Sequence, residues 1–108
     1  MGKFELYKDK ASEFRFRLKA GNGQIILVSE GYTTKANCEN GIASVKENSQ
    51  IKERFEIKEV PTGIKFSLKA GNGQIIGQSE VYTTKAAMEN GIESVMKNAP
   101  EAEIVEIE

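Results

Sequence analysis

Apolar and polar residues alternate from Phe14 to Lys19, with Phe14, Phe16 and Leu18 set against Arg15, Arg17 and Lys19. Ile64, Phe66 and Leu68 alternate in the same way with Lys65, Ser67 and Lys69. Period two over this length predicts a strand with one buried face. The segments that follow, "QIILVSE" and "QIIGQSE", are rich in β-branched residues and predict its hairpin partner, with Asn22-Gly23 and Asn72-Gly73 as the turns. After "YTTK" the period changes. Cys38, Ile42 and Val45, like Met88, Ile92 and Val95, recur at spacings of four and three, the apolar stripe of a helix. Thr33 or Thr34, and Thr83 or Thr84, are the candidate N-caps. Asn48 and Asn98 fall where each helix should stop, since asparagine accepts left-handed geometry there.

The pattern is written twice. "LKAGNGQII" stands at Leu18–Ile26 and again at Leu68–Ile76, and residues 14–49 match residues 64–99 at about two thirds of positions. Upstream the frame slips by one residue, where Lys10, Ala11 and Ser12 face Pro61, Thr62 and Gly63. A length change of this kind marks a surface turn. Each copy reads strand, strand, strand, helix, strand. The segment "ERFEIKEV" closes copy one and also aligns with the opening "KFELYKD", so one strand serves both copies. The expectation is a single domain over 1–108, with repeat one at about 1–53 and repeat two at about 54–108.

Register depends on the turn. A two-residue Asn22-Gly23 loop pairs Leu18 with Leu27 and Ala20 with Ile25, whereas a three-residue loop with a bulge brings Ile26 and Val28 inward. The first is expected. It leaves Gly77 as an inward position without a side chain, and it puts Ile26 and Ile76 on the face away from the helices.

The motifs "NGQII", "SEGYTTKA", "ENGIASV" and "KEN", with their second-copy forms "SEVYTTKA", "ENGIESV" and "MKN", cover nearly the whole chain. In these motifs the sequence resembles the YegP-like family of small bacterial proteins. The resemblance implies an α+β fold. Two tandem β3-α-β units would share one antiparallel sheet, with two helices on one face and the C-terminal strands exchanged between halves. It brings no reaction, substrate or catalytic residue with it.

Composition narrows the function classes. The chain has 15 Lys and Arg against 16 Asp and Glu, a formal charge of −1, so no overall basic footprint predicts nucleic-acid binding. No histidine is present, which removes the commonest general base and metal ligand. The one cysteine, Cys38, lies on the helical stripe and reads as core. A non-enzymatic protein is therefore expected, without cofactor or metal. No stretch is long and apolar enough to cross a membrane, and a single cysteine fits a reducing compartment, so the expectation is a cytoplasmic protein, and a monomer.

Two surfaces are candidates for binding. Two helices cover one side of a single sheet, so the other side faces water or a partner. Arg15, Arg17, Lys19, Lys65 and Lys69 lie on it with Tyr7, suited to a protein or a small anionic ligand. The second candidate is the repeated strand-to-helix junction: Tyr32, Thr34 and Lys35, and again Tyr82, Thr84 and Lys85. A helix N-terminus with a lysine alongside can take an anion or a nucleic-acid phosphate. Capping and tyrosine packing account for the same residues without a ligand. The glycine-rich "AGNG" lies between two strands, not between a strand and a helix, and so reads as a hairpin and not as a phosphate loop.

Overall fold

The computed structural model describes residues 2–107. Copy one supplies β1 (Lys3–Lys8), β2 (Phe14–Lys19), β3 (Ile25–Val28) and α1 (Lys35–Asn48). Copy two supplies β4 (Phe55–Val60), β5 (Gly63–Lys69), β6 (Ile75–Gln78), α2 (Lys85–Asn98) and β7 (Glu103–Glu106). A short 3-10 turn at Lys52–Arg54 leads into β4. All seven strands form one sheet in the order β4-β5-β6-β3-β2-β1-β7. The halves meet at β3 and β6, joined at Val28 and Gln78.

The strand exchange follows from this order. β7 ends copy two yet lies on β1 of copy one, while β4 follows α1 yet pairs with β5 of copy two. The expected all-antiparallel sheet needs one correction: β7 runs parallel to β1, with Phe4 opposite Ile104 and Leu6 opposite Glu106. A parallel neighbour needs a long crossover, which the rest of copy two provides.

Phe4, Leu6, Phe16, Leu18, Leu27, Phe66 and Leu68 from the strands pack against Cys38, Ile42, Val45, Met88, Ile92 and Val95 from the helices. At about 25 cal/mol per Å² removed from water, this burial is the main stabilising term. In each helix one stripe position is a glycine, and the sheet explains why. Tyr32 lies beneath Gly41 and Tyr82 beneath Gly91, so that a methyl group on either glycine would sit 2.8 Å from the tyrosine Cζ. The rings in turn stack on Phe16 and Phe66, with centroids 6.3 and 6.2 Å apart. Close helix-to-sheet approach thus outweighs the roughly 1 kcal/mol that glycine costs in a helix.

The hairpin turns differ from the expected two-residue form. Gly23 and Gly73 have φ of 87°, but Asn22 and Asn72 do not have positive φ. The Gly23 N–H donates to the Ala20 carbonyl and the Ala20 N–H to the Gln24 carbonyl, each at 2.9 Å, which closes a three-residue loop with a bulge after Leu18. The Asn22 and Asn72 side chains accept from Gln24 and Gln74 N–H at 3.0 Å, which a type I′ turn would not require. Leu18 still pairs with Leu27, but Ile25 faces Lys19 in place of Ala20. The bulge also turns Ile26 and Ile76 into the core, correcting their expected place on the outer face. Gly77 is no void, because Leu27 fills it: a Cβ there would lie 2.6 Å from a Leu27 methyl.

The helix ends also need a correction. Both helices stop at the expected asparagine, yet neither Asn48 nor Asn98 is left-handed. Their side-chain amides instead donate back to the Ser44 and Ser94 carbonyls, at 2.9 and 2.8 Å.

Candidate interaction surfaces

On the face opposite the helices, β1, β2, β5 and their neighbours present the basic residues singled out by alternation. The strand register decides their partners. β1 places Glu5 opposite Arg17 and Tyr7 opposite Arg15. Arg17 Nε donates to Glu5 at 2.6 Å and its guanidinium lies over the Tyr7 ring at 4.8 Å. Lys19 reaches the other Glu5 oxygen at 3.2 Å. Arg15 Nε donates to Asp9 at 2.6 Å, and that carboxylate also accepts from the Ala11 and Glu13 N–H groups. In copy two, Lys69 pairs with Glu56 at 3.1 Å and Lys65 donates to Gln78 at 2.9 Å.

These pairings change the electrostatics of the face. The hydrogen bond from Arg17 holds the Glu5 carboxyl below its ordinary range against the opposing effect of burial, and the one from Arg15 does the same for Asp9. Arg15, Arg17, Lys19 and Lys69 are thus matched to carboxylates, while Lys65 has the neutral Gln78 amide and Lys58, opposite Lys65, has no ion pair among the described residues. Between the pairs sit two exposed aliphatic side chains, Ile25 and Val28, at 40% and 39% exposure. Arg15, Val28, Ile75 and Gln78 line a shallow depression of about 430 Å³ at the seam of the two copies.

At the junctions, Thr34 and Thr84 are the N-caps, with hydroxyls accepting from Asn37 N–H at 3.1 Å and Ala87 N–H at 3.0 Å. Ser29 and Ser79 of the preceding "SE" hold the strand crossing: each hydroxyl accepts from Phe16 or Phe66 N–H at 2.9 Å and donates to the next carbonyl. Tyr32 and Tyr82 bridge to Phe14 and Ile64 through backbone bonds of 2.7 to 2.8 Å. Burial raises the pKa of both phenols. Lys35 is ion-paired with Glu106 of β7, which raises its own pKa. Lys85, its counterpart, has no ion pair among the described residues. Cys38 is fully buried, and burial foremost pushes its thiol up to about 11, away from nucleophilic use.

The acidic partners of the basic face escaped the residue-by-residue reading. Their signal was present in "FELYKD", whose alternation places Glu5, Tyr7 and Asp9 on one side of a strand that pairs with "FRFRLK".

The family model for the Domain of unknown function (DUF1508) matches the chain twice, over residues 9–56 and 63–106. The chain belongs to this family. Among DUF1508 relatives, the UPF0339 protein in the ptx operon 5′ region of Stutzerimonas stutzeri is 61% identical over 57 residues, 53% of this chain and 51% of that protein. A UPF0339 protein of Treponema denticola is 62% identical over 48 residues, 44% of this chain and 83% of that protein. The match spans about half the length of the Stutzerimonas protein and of several other relatives. The solution NMR structure of Escherichia coli yegP, a protein of unknown function, superposes with a TM-score of 0.92 at 49% identity, covering 97% of this chain and 91% of that one. The UPF0339 protein SO3888 of Shewanella oneidensis gives the same score at 46% identity, covering 97% and 90%. The tandem α+β architecture is therefore shared with the yegP and SO3888 structures, and these DUF1508 relatives carry no stated activity. No helix among the described residues is long and apolar enough to cross a membrane.

Proposed function

We propose that the protein is a non-enzymatic interaction module that binds a protein or small ligand through the sheet face opposite the helices. The observation that carries this reading is the pair of exposed aliphatic residues, Ile25 and Val28, set among charge-balanced Lys and Arg pairs beside the seam depression. Ion pairs around an apolar centre favour a contact surface of the protein-recognition kind over an anion trap, because Arg15, Arg17, Lys19 and Lys69 already have carboxylate partners. The thiol is buried and the sequence lacks histidine, so neither supports an enzymatic reading. Shift mapping against native-cell fractions should move the amides of Arg17, Ile25, Val28 and Gln78, and Val28→Asp should abolish the effect. Perturbations confined to the helices would reject the reading.

A second reading, anion or nucleic-acid phosphate binding at the "YTTK" junctions, is favoured by one observation only: Lys85 lacks the carboxylate that Lys35 has. Salt-dependent binding to inorganic phosphate should then fall in Lys85→Ala and not in Lys35→Ala. Equal affinity in all three proteins rejects it.

A further inference from the structure

The two copies differ most at the ends of the sheet. On the outer edge of β1, the Ile107 N–H donates to the Leu6 carbonyl at 2.8 Å, Ile104 lies opposite Phe4, and Glu106 opposite Leu6 reaches Lys35 in the first turn of α1. Copy two repeats every one of these receiving groups without the strand. β4 ends the sheet, and its Phe55 and Ile57 align with Phe4 and Leu6. Ile57 is 52% exposed where Leu6 is 1%. Lys85 aligns with Lys35 and has no ion pair among the described residues. Between β4 and α2 runs a groove of about 280 Å³, lined by Lys52, Ile57, Glu89, Ile92, Glu93 and Met96.

We infer that this edge is a docking site for an extended segment of a partner protein, added parallel to β4, with an apolar residue opposite Phe55 and an acidic residue two positions later, opposite Ile57 and facing Lys85. The two side chains fall on one face because strand residues two apart do. Backbone pairing to the open edge supplies affinity, and the alternate side chains supply selectivity. β7 on β1 is the internal template for this geometry, with Ile104 and Glu106 in the two roles. Glu89 does not oppose it, since Glu39 holds the same place in copy one beside the Lys35–Glu106 pair. Met96, where copy one has Lys46, adds apolar surface beside the uncovered Ile57. This edge is a different surface from the open sheet face.

The test is a capped peptide of residues 101–107, Glu-Ala-Glu-Ile-Val-Glu-Ile, titrated into labelled full-length protein. Amides from Phe55 to Val60, with Lys85 and Ile92, should shift, and the Ile57 and Glu59 amides should exchange more slowly. A peptide carrying Glu106→Lys should bind about three- to tenfold more weakly, the range expected for reversing one exposed ion pair. Lys85→Glu in the protein should restore that peptide's affinity. Absence of shifts on β4, shifts confined to β1 and β7 or to the open face, or equal binding of the reversed peptide would overturn the inference. So would a concentration-dependent dimer through β4 without peptide, which would assign the edge to a second copy.

Discussion

Leu6 and Ile57 hold the same place in two copies of one unit, yet Leu6 is sealed from water and Ile57 is half in it. Beside them, the Glu5 side chain is 7% exposed and that of Glu56 is 56%. Residue type explains neither contrast. β7 covers the first edge, and among the described residues no strand covers the second. Two complete β3-α-β units would bring one strand more than the seven present, because "ERFEIKEV" serves as the last strand of copy one and the first of copy two. Burial at a sheet edge is thus a property of the neighbour, and duplication with a shared strand leaves one edge short of one.

The largest expected effect tests that contrast directly. Leu6→Ala should cost about 2–5 kcal/mol, as buried large-to-small changes do. Ile57→Ala should cost less than about 1 kcal/mol, because half the side chain is already in water. Denaturant titration of both variants decides it, and equal losses would break the comparison.

Where the copies agree, the same substitution should act alike. Gly41→Ala and Gly91→Ala should each destabilise by about 1–3 kcal/mol through overpacking against Tyr32 and Tyr82, although alanine is the better helix former. Thermal unfolding of the two variants sharpens the comparison if the losses match. A gain in stability would show that the rings yield.

Smaller effects follow from charge. Lys35→Ala should lower stability slightly by losing the exposed Glu106 pair, and Lys85→Ala should leave it unchanged. Urea midpoints measured at low and high salt would show the Lys35 effect shrinking as screening rises. Acid sensitivity comes last. Because Arg17, and less strongly Lys19, hold the Glu5 carboxyl below its ordinary 4.5, its stabilising contribution is complete above that pH. It is lost as pH falls through the lower folded value. Glu5→Gln should therefore be less stable than the parent at pH 7 and lose less on going to pH 3.

Most of the fold was legible because its signals are local. Alternation in "FRFRLK", the four-and-three spacing of Cys38, Ile42 and Val45, and the shared alignment of "ERFEIKEV" placed strands, helices and the strand common to both copies, and the family resemblance implied the strand exchange. What the chain alone did not reveal depended on contacts between segments. The parallel sense of β7 and the Leu27 side chain that fills the space over Gly77 arise between strands distant in sequence, whereas the bulge that turns Ile26 inward is the other of two turn forms open to the Asn-Gly hairpin. The candidate surfaces were legible in the same partial way. Arg15, Arg17, Lys19 and Lys69 fall together on one face, but their carboxylate partners depend on register, and the difference between Lys35 and Lys85 depends on where β7 goes.

Amide hydrogen exchange in the dilute protein tests the open edge most directly. Backbone groups alternate sides along a strand, so the Leu6 amide points to β7 and the Ile57 amide points outward from β4. The account predicts Leu6 protected close to the level of the core strands and Ile57 exchanging orders of magnitude faster. Equal protection of the two amides, without any added partner, would contradict it.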